Sequence, residues 1–190
     1  MDQEFYKTKE TVEQYIKAAK GFNGKLLIDK LIKILPANST VLEIGSGPGT
    51  DWNILKKNYK VIGSDNSKEF IKYLTKENPD GNFLLLDAVT LKTDISFDAI
   101  YSNKVLHHLN DDEILKSIKN QSELLKNRGI ICHSFWKGEG SEVFNGLHVN
   151  YHSENSLKEI FQKYFNVLSI ETYQEFDKGD SILLIGQKKK

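Results

Sequence analysis

Three glycines follow a short apolar run in the segment VLEIGSGPGTDW at the spacing G-x-G-x-G, namely Gly45, Gly47 and Gly49. Glycine at such a turn allows a ligand to approach the backbone closely. Pro48 lies between the last two glycines and has no N–H to donate to a phosphate. Glu43, just before the first glycine, would repel a phosphate and could hold a cation. The turn therefore favours a positively charged ligand without phosphate over the dinucleotide that a G-x-G-x-x-G pattern binds.

Two aspartates follow later apolar runs at positions where a nucleoside needs acceptors. Asp65 ends the second run, about 20 residues after the first glycine, where a carboxylate accepts from both ribose hydroxyls. Asp87 ends the third run and could accept from an adenine amino group while the Ala88 N–H faces the ring. S-Adenosylmethionine has adenine, ribose, a sulfonium and an α-ammonium but no phosphate, and so fits this set. The alternatives are an ion pair for Glu43, a cap for Asp65 and a loop carboxylate for Asp87.

Two adjacent histidines follow the fourth apolar run, in the segment SNKVLHHLND. Their side chains must point in different directions, so one can face a ligand while the other packs or meets solvent. Histidine takes up protons near neutral pH, which suits it to a catalytic base. A hydrogen-bonded histidine at the rim is the alternative. His107, His108, His148 and His152 lack a recognisable ligand spacing, so we predict no metal site.

Two segments carry aromatic residues that could contact a second ligand. The connection between residues 136 and 152 is rich in glycine and has the sequence WKGEGSEVFNGLHVNYH. We expect it to be irregular and to form one wall of the acceptor pocket. The alternative is that its aromatic residues only anchor the loop. Its candidate wall residues are Trp136, Phe144, His148 and Tyr151. The N-terminal segment could form a lid, with aromatic faces near a sulfonium, or an ordinary packed helix. Its aromatic residues are Phe5, Tyr6 and Tyr15.

Short apolar runs alternate with helical patterns along the chain. The runs predicted as strands are 41–46, 60–65, 82–88, 97–103 and 129–135. The helical segments are 51–58, 67–77, 111–127 and 156–164. The strands are nearly unalternated, as expected when both faces of a parallel sheet are covered. Strand and helix in alternation predict right-handed βαβ units and an open, doubly wound α/β sheet.

The ends of the chain complete this organisation. Runs 166–176 and 180–187 are joined by the short polar link DKGD, so the last strand should be antiparallel to its neighbour. An amphipathic helix over 23–35 ends at Pro36, and the first 20 residues look helical too. The predicted helix caps are the pairs Asn66 with Glu69, Asn110 with Glu113 and Ser156 with Glu159. We predict one domain, 1–190, with an N-terminal helical cap over 1–36.

Composition narrows the class of protein further. The 190 residues are 39% hydrophobic and 27% charged, with a net charge of zero. This balance lowers the expectation of a nucleic-acid or anionic-membrane partner. No apolar run approaches the roughly 18 residues of a membrane span, and no secretory signal opens the chain. The single cysteine, Cys132, lies in an apolar run and is expected to be buried and inert. These features predict a cytoplasmic protein, monomeric or homodimeric.

The segments VLEIGSGPG, VIGSDNS, LLLDA and FDAIYSNKVLHHL, with a strand after RG, resemble the class I S-adenosylmethionine-dependent methyltransferases. The resemblance covers roughly residues 35–135 and is specific for the family but not for a substrate. It implies a Rossmann-like seven-stranded sheet in the order 3-2-1-4-5-7-6, with strand 7 antiparallel. The cofactor contacts that it implies are Glu43, Gly45, Ser46, Gly47, Asp65, Asn66, Asp87, Ala88 and Asn103.

The resemblance also implies an activity, in which a methyl group passes to a small molecule at oxygen, nitrogen or carbon and S-adenosylhomocysteine is the product. His108 is expected to approach the acceptor more closely than His107, and Tyr6, Trp136, His148 and Tyr151 are expected to contact it. Amino-methylases of DNA or protein glutamine carry an Asn-Pro-Pro-Tyr-type signature where this chain has Ser-Asn-Lys-Val, which disfavours nucleic acid. A nucleic-acid methyltransferase, an NAD-dependent oxidoreductase and a non-catalytic cofactor-binding protein are the alternatives.

Overall fold

The structure is a computed structural model that describes residues 6–144 and 146–190, with only the backbone at Phe144. Phe5, which we predicted in the N-terminal lid, lies outside the described residues. The helices are α1 (Lys9–Ala18), α2 (Lys25–Ile32), α3 (Thr50–Leu55), α4 (Lys68–Glu77), α5 (Asp111–Leu124) and α6 (Glu154–Phe161). The strands are β1 (Thr40–Ile44), β2 (Lys60–Asp65), β3 (Asn82–Leu85), β4 (Phe97–Asn103), β5 (Leu125–Trp136), β6 (Ser141–Phe144), β7 (Leu147–Asn150), β8 (Phe165–Tyr173) and β9 (Ser181–Lys188). A 3₁₀ turn, Leu106–His108, follows β4.

Seven strands form one sheet in the order β3-β2-β1-β4-β5-β9-β8. The first five run parallel, and Leu42 of β1 lies opposite Ile62 of β2 and Ile100 of β4. β9 runs antiparallel to both β5 and β8. The predicted doubly wound fold and its strand order are therefore confirmed. The last two strands carry higher numbers because the β6-β7 hairpin precedes them.

Both faces of the sheet are buried, which explains the nearly continuous apolar strands. Val41 and Leu42 are neighbours in β1, yet they are buried in separate cores on opposite faces. Helices α2 and α3 supply the Val41 core, and α5 and α6 supply the Leu42 core. Each fully buried aliphatic side chain of this size contributes about 1.5–3 kcal/mol. Within the described residues, no helix is long and apolar enough to cross a bilayer.

The carboxyl ends of β1, β2 and β4 meet at one edge of the sheet. β1 pairs with β2 on one side and with β4 on the other, so the chain changes direction across the sheet at β1. A crevice opens at such a switch point, and ligands of α/β sheets bind there. The glycine turn after β1, Asp65 at the end of β2 and Asn103 at the end of β4 all lie at this edge.

Of the three helix N-caps that we predicted, one is correct and two are wrong. Asn110 and Glu113 form the capping box that we predicted for α5. The cap of α4 is Ser67 rather than Asn66, because the Ser67 hydroxyl accepts from the third residue of the helix. The cap of α6 is Ser153 rather than Ser156, which instead donates its backbone N–H to the Ser153 side chain. Both errors shift a boundary by one turn or less.

The connection 136–152 is not irregular, contrary to our prediction. It forms the two-stranded hairpin β6-β7, in which Glu142 lies opposite Val149. Val143 is 72% exposed, so the hairpin stands away from the core at that point. The glycines that suggested an irregular loop lie at its ends and in its turn, where Gly140 and Gly146 have positive φ.

Candidate functional site

The turn after β1 brings backbone to the crevice without side chains in the way. Gly45 has a left-handed φ of 69°, and a Cβ there would lie 2.5 Å from Val105 Cγ2. The Ser46 N–H donates to the Ser64 carbonyl at 2.8 Å, and the Gly49 N–H donates to the Ser46 carbonyl at 2.8 Å. These bonds close the turn, and α3 begins directly after it. Both the backbone conformation and the space at Gly45 therefore require glycine.

Glu43 lies beneath this turn and is only 2% exposed. The Ser46 hydroxyl donates to Glu43 Oε2 at 2.7 Å. Burial raises the pKa of Glu43 to about 8, and the charges of Asp51 and Asp65 contribute to the rise. The carboxyl group is therefore largely protonated at neutral pH until a cation stabilises its charged form. This state fits a ligand that brings an ammonium or a sulfonium, and it does not fit a phosphate.

Asp65 joins the glycine turn to the end of β2. Its Oδ2 accepts from the Gly47 N–H at 3.0 Å, and its Oδ1 accepts from the Ser67 N–H at 2.8 Å. Burial raises the pKa of Asp65, although these two bonds and one from the Asn66 backbone oppose the rise. The carboxylate is thus fixed in direction by the backbone and gains stability from any further donor.

A narrow cavity lies between the glycine turn and the ends of β2, β3 and β4. Seven of the nine residues predicted to contact the cofactor line this cavity. Four of them line this cavity alone, and three also line a second cavity. The lining residues are Tyr6, Tyr15, Ile44, Gly45, Gly47, Asp65, Asn66, Phe70, Leu86, Asp87, Ala88, Asn103, Lys104, Val105, His108 and Leu109. Asp87 Oδ1 accepts from the N–H groups of Val89 and Thr90 at 3.1 and 2.8 Å, which fixes the carboxylate at the rim.

Three aromatic rings cover one side of the narrow cavity. Tyr6 and Tyr15 have ring centroids 5.4 Å apart, and each lies within 5.8 Å of Phe70 in α4. The Ser67 hydroxyl donates to the Tyr6 carbonyl at 2.5 Å. The N-terminal segment is therefore packed on α4 and also lines the cavity. It has features of both predicted alternatives, the lid and the ordinary packed helix.

A wider cavity of about 440 Å³ adjoins the narrow one. The two share Tyr15, Gly45, Gly47, Asn103 and Lys104. The residues that line only the wide cavity are Ala18, Ala19, Phe22, Asn23, Glu43, Ser46, Pro48, Thr50, Asp51, Trp136, Glu175 and Phe176. The site therefore has two compartments that meet at the glycine turn, which suits a reaction between two bound molecules.

Asp51, in the first turn of α3, connects three separate segments at the base of the wide cavity. Its Oδ1 accepts from the Gly24 N–H at 2.6 Å. Its Oδ2 accepts from the Tyr101 hydroxyl at 2.7 Å and from Asn103 Nδ2 at 3.1 Å. Asn103 Oδ1 in turn accepts from the Ser134 hydroxyl at 2.6 Å. These bonds fix the end of β4 against the N-terminal segment.

The two histidines occupy different environments. His108 lines the narrow cavity, and its Nδ1 lies 2.7 Å from the His148 carbonyl. A carbonyl only accepts, so Nδ1 carries the proton and the lone pair of the neutral ring is on Nε2. Burial lowers the pKa of His108, which keeps the ring neutral at pH 7. His107 is 3% exposed and lines neither cavity, because its neighbours are His108 and Trp136.

Only part of the predicted acceptor wall lies at the cavities. Trp136 lines the wide cavity. Within the described part of the chain, neither His148 nor Tyr151 lines the narrow or the wide cavity, because the hairpin directs their side chains away from both. The Tyr151 hydroxyl donates to Glu142 Oε1 at 2.6 Å within the hairpin, and His148 contributes its carbonyl to His108.

Lys104 was not singled out from the sequence, although it directly follows Asn103. Its Nζ donates to the Ser181 hydroxyl at 2.6 Å and to the Phe135 carbonyl at 3.1 Å, and it lies 3.4 Å from the Trp136 ring centroid. Burial lowers the pKa of Lys104 to about 7, although Glu175 opposes the change. The lysine therefore ties β4, β5 and β9 together at the wall of the wide cavity.

A chain of hydrogen bonds runs from β4 to the backbone of Ala88, which lines the narrow cavity. His133 Nδ1 lies 2.8 Å from the Ser102 hydroxyl, and its Nε2 lies 2.8 Å from Gln121 Oε1. Gln121 Nε2 donates to Ser117 Oγ at 3.1 Å, and Ser117 Oγ donates to the Ala88 carbonyl at 2.6 Å. Because Gln121 Oε1 only accepts, His133 carries its proton on Nε2. The chain fixes the peptide next to Asp87.

The other residues that sequence analysis missed come from distant parts of the chain. Phe22 follows α1, Asp51 begins α3, and Glu175 and Phe176 lie between β8 and β9. Asp51 directly follows the glycine turn, so its position was a usable signal. The remaining three had no local signal, because only the folded chain brings them together at the wide cavity.

Comparison with known proteins shows which kind of domain this chain is similar to. A family model described as a methyltransferase domain matches residues 41–129. Trans-aconitate 2-methyltransferase from Variovorax paradoxus is 33% identical over 85 residues, which are 43% of this chain and 33% of that protein. Ribosomal RNA small subunit methyltransferase A from Mycoplasma mobile is 31% identical over 106 residues, which are 54% of this chain and 42% of that protein. The chain thus spans less than half the length of either relative.

Solved structures share the fold. The 1,6-didemethyltoxoflavin-N1-methyltransferase from Burkholderia thailandensis, with bound 1,6-didemethyltoxoflavin and S-adenosylhomocysteine, superimposes with a TM-score of 0.74. The match covers 95% of this chain and 86% of that one, at 17% sequence identity. At this identity the likeness concerns the fold alone, and the match extends over the edge strands and N-terminal helices that the family model leaves out.

Proposed function

We propose that the chain is a class I S-adenosylmethionine-dependent methyltransferase and that it transfers the methyl group of that cofactor to a small molecule. The observation that carries the proposal is the pair of cavities that meet at the glycine turn. One compartment has the acceptors for a nucleoside, and the other has room and apolar walls for a second reactant. A dinucleotide would place its phosphates against the buried Glu43.

The narrow cavity holds the nucleoside in this proposal. Asp65 accepts from the ribose, and Asn66 lies beside the adenine ring. Asp87 and the Ala88 N–H contact the adenine edge. The hydrogen-bond chain that ends on the Ala88 carbonyl supports this last contact, because it keeps that peptide from rotating.

The glycine turn holds the methionine end. Gly45 and Gly47 allow close approach, Ser46 orients Glu43, and Asn103 offers its backbone carbonyl to the α-ammonium. The charged form of Glu43 is costly without a cation, so the ammonium or sulfonium is its natural partner. Asp51 supports the arrangement because it fixes the Asn103 side chain.

When bound, S-adenosylmethionine supplies a methyl group on a good leaving group, so the protein mainly aligns the acceptor and excludes water. The Tyr6, Tyr15 and Phe70 cluster excludes water from the narrow cavity. His108 is a base for an acceptor that must lose a proton, since its Nε2 lone pair is available in the neutral ring. Trp136 contacts the acceptor in the wide cavity.

A small acceptor is supported by the dimensions and charge of the site. The wide cavity is within the usual range of small-ligand pockets, about 300–1,000 Å³. The zero net charge of the chain gives no general attraction for nucleic acid. The relative from Variovorax paradoxus is named for a small-molecule acceptor, and the structure from Burkholderia thailandensis contains one.

The experiment combines binding and turnover. Calorimetry with S-adenosylhomocysteine and, separately, NADH identifies the cofactor, and we expect heat only with the former. Methyl-labelled S-adenosylmethionine is then incubated with pools of small amines, phenols and carboxylic acids, and with ribosomal RNA. Label transfer to a small-molecule pool supports the proposal. Heat with NADH alone, transfer only to RNA, or cofactor binding without transfer to any pool would each contradict it.

A further inference from the structure

The outer end of the wide cavity is built by residues that have no part in holding the cofactor. Phe22 and Asn23 follow α1, Trp136 ends β5, and Glu175 and Phe176 lie in the β8–β9 connection. None of these residues is among those predicted to contact the cofactor. Their side chains therefore indicate which kind of acceptor the cavity would bind, rather than which cofactor.

Three aromatic rings dominate this outer end. The Trp136 and Phe176 rings are nearly parallel, with an interplanar angle of 22° and centroids 5.7 Å apart. The Phe22 ring meets Phe176 edge-on at 5.0 Å. Phe22 is 46% exposed and Phe176 is 56% exposed, so both rings leave apolar surface open at the cavity mouth. Such surface favours a ligand that is itself flat and aromatic.

Glu175 is the carboxylate among these rings, and its position is fixed by the backbone. Asp180 accepts from the N–H groups of Glu175, Phe176 and Asp177 at 2.8 to 2.9 Å. Burial alone would raise the pKa of Asp180, but these bonds lower it to about 2. One carboxylate therefore holds three successive N–H groups of the connection, and Glu175 lines the cavity beside them.

Burial raises the pKa of Glu175, and the charge of Lys104 opposes the rise. Lys104 is the one lysine, arginine or histidine among the described residues that line the wide cavity. Its Nζ already donates to the Ser181 hydroxyl and the Phe135 carbonyl and lies over the Trp136 ring. A molecule in the cavity therefore meets a lysine that is already hydrogen-bonded and a glutamate whose carboxylate can accept a hydrogen bond.

We infer that the acceptor is an arylalkylamine, whose ring lies among Phe22, Trp136 and Phe176 and whose protonated nitrogen donates a hydrogen bond to Glu175. This inference rests on the proposed function and specifies the substrate of the same site. In the reaction the bound ammonium first gives one proton to Glu175 or solvent, which frees the nitrogen lone pair. That lone pair forms the new N–C bond while the C–S bond breaks with its electron pair remaining on sulfur.

Three probes with one ring system and different charges test the inference by binding alone. Tryptamine, indole-3-ethanol and indole-3-acetate are titrated calorimetrically into the protein saturated with S-adenosylhomocysteine. We expect tryptamine to bind at least about tenfold more tightly than indole-3-acetate, because a charge-assisted contact is gained in one case and a like-charge contact in the other. Glu175→Gln should weaken tryptamine about tenfold and change indole-3-ethanol about twofold or less.

Asp177→Asn is the matched control, since it removes a charge from the same connection at an exposed side chain that does not line the cavity. It should leave all three affinities unchanged. Equal binding of the three probes, or a Glu175→Gln variant that keeps the order of the native protein, would overturn the inference while S-adenosylhomocysteine binding remains intact. Loss of S-adenosylhomocysteine binding in the native protein would instead contradict the proposed function.

Discussion

The contact between Asp65 and ribose gives the sharpest test of the cofactor site. A carboxylate has about four lone-pair positions, and the N–H groups of Gly47, Asn66 and Ser67 already reach this one. About one position is left, which is enough for one strong bond to a ribose hydroxyl rather than two. A hydrogen bond to a charged acceptor contributes about 1.5–3 kcal/mol. We therefore expect 2′,3′-dideoxyadenosine to bind the native protein about 10–150-fold more weakly than adenosine.

Asp65→Asn changes the charge with almost no change of shape. The amide oxygen can keep one acceptor contact, but that bond is now neutral and contributes about 0.5–1.5 kcal/mol. Removal of the ribose hydroxyls should then cost only about 2–12-fold in affinity. The difference between the two ratios, about tenfold, measures the coupling between the carboxylate and the sugar. The absolute affinity of the variant also falls, because its NH₂ group faces backbone donors.

Calorimetry of both nucleosides with the native protein, Asp65→Asn and Asp87→Asn completes the cycle. Asp87→Asn is the control, since it should weaken both nucleosides through the adenine edge and keep the native ratio between them. Circular dichroism checks that each variant is folded. An identical ratio in the native protein and in Asp65→Asn would place the ribose elsewhere and refute the assignment.

Three further predictions concern charge, catalysis and the turn. Glu43 has a raised pKa of about 8 and should ionise when the α-ammonium binds. S-Adenosylhomocysteine binding should therefore release a proton at pH 7 and become tighter as pH rises from 6 to 8. The calorimetric binding enthalpy should depend on the ionisation enthalpy of the buffer, and Glu43→Gln should abolish that dependence. His108→Ala should slow methyl transfer about 10²-fold or more with little change in cofactor affinity, whereas His148→Ala keeps the carbonyl and should have no such effect. Gly45→Ala should lower the thermal midpoint by more than Gly140→Ala, because both have positive φ but only Gly45 lacks room for a Cβ.

The cofactor side of the site could be predicted from sequence because its residues lie directly at strand ends. The glycine turn, Asp65 and Asp87 each follow an apolar run, and parallel strands bring such ends to one edge. Their mutual position follows from topology, without any knowledge of side-chain packing. The strand order, by contrast, was implied by the family resemblance, and the antiparallel β9 was predicted from the short polar link before it.

The acceptor side depends on packing between distant segments, and the sequence pattern does not contain that information. We expected residues 136–152, a glycine-rich segment with aromatic residues after β5, to form the wall of the acceptor pocket. That segment instead satisfies its own backbone bonds as a hairpin, which directs Tyr151 to Glu142. The β8–β9 connection, which we interpreted only as a turn, supplies Glu175 and Phe176 because Asp180 folds it over the cavity.

The acidic residues around the crevice disfavour the charged form of Glu43 in the free protein and favour a positively charged ligand. Glu43 is buried, and the charges of Asp51 and Asp65 further raise its pKa, so ionising it in the free protein costs free energy. A ligand with two positive charges recovers that cost when it binds. S-Adenosylmethionine has an α-ammonium and a sulfonium, whereas S-adenosylhomocysteine keeps only the ammonium. In the proposed reaction, methyl transfer would therefore remove one of the two positive charges, so the electrostatics that favours binding of the cofactor would also favour release of the product.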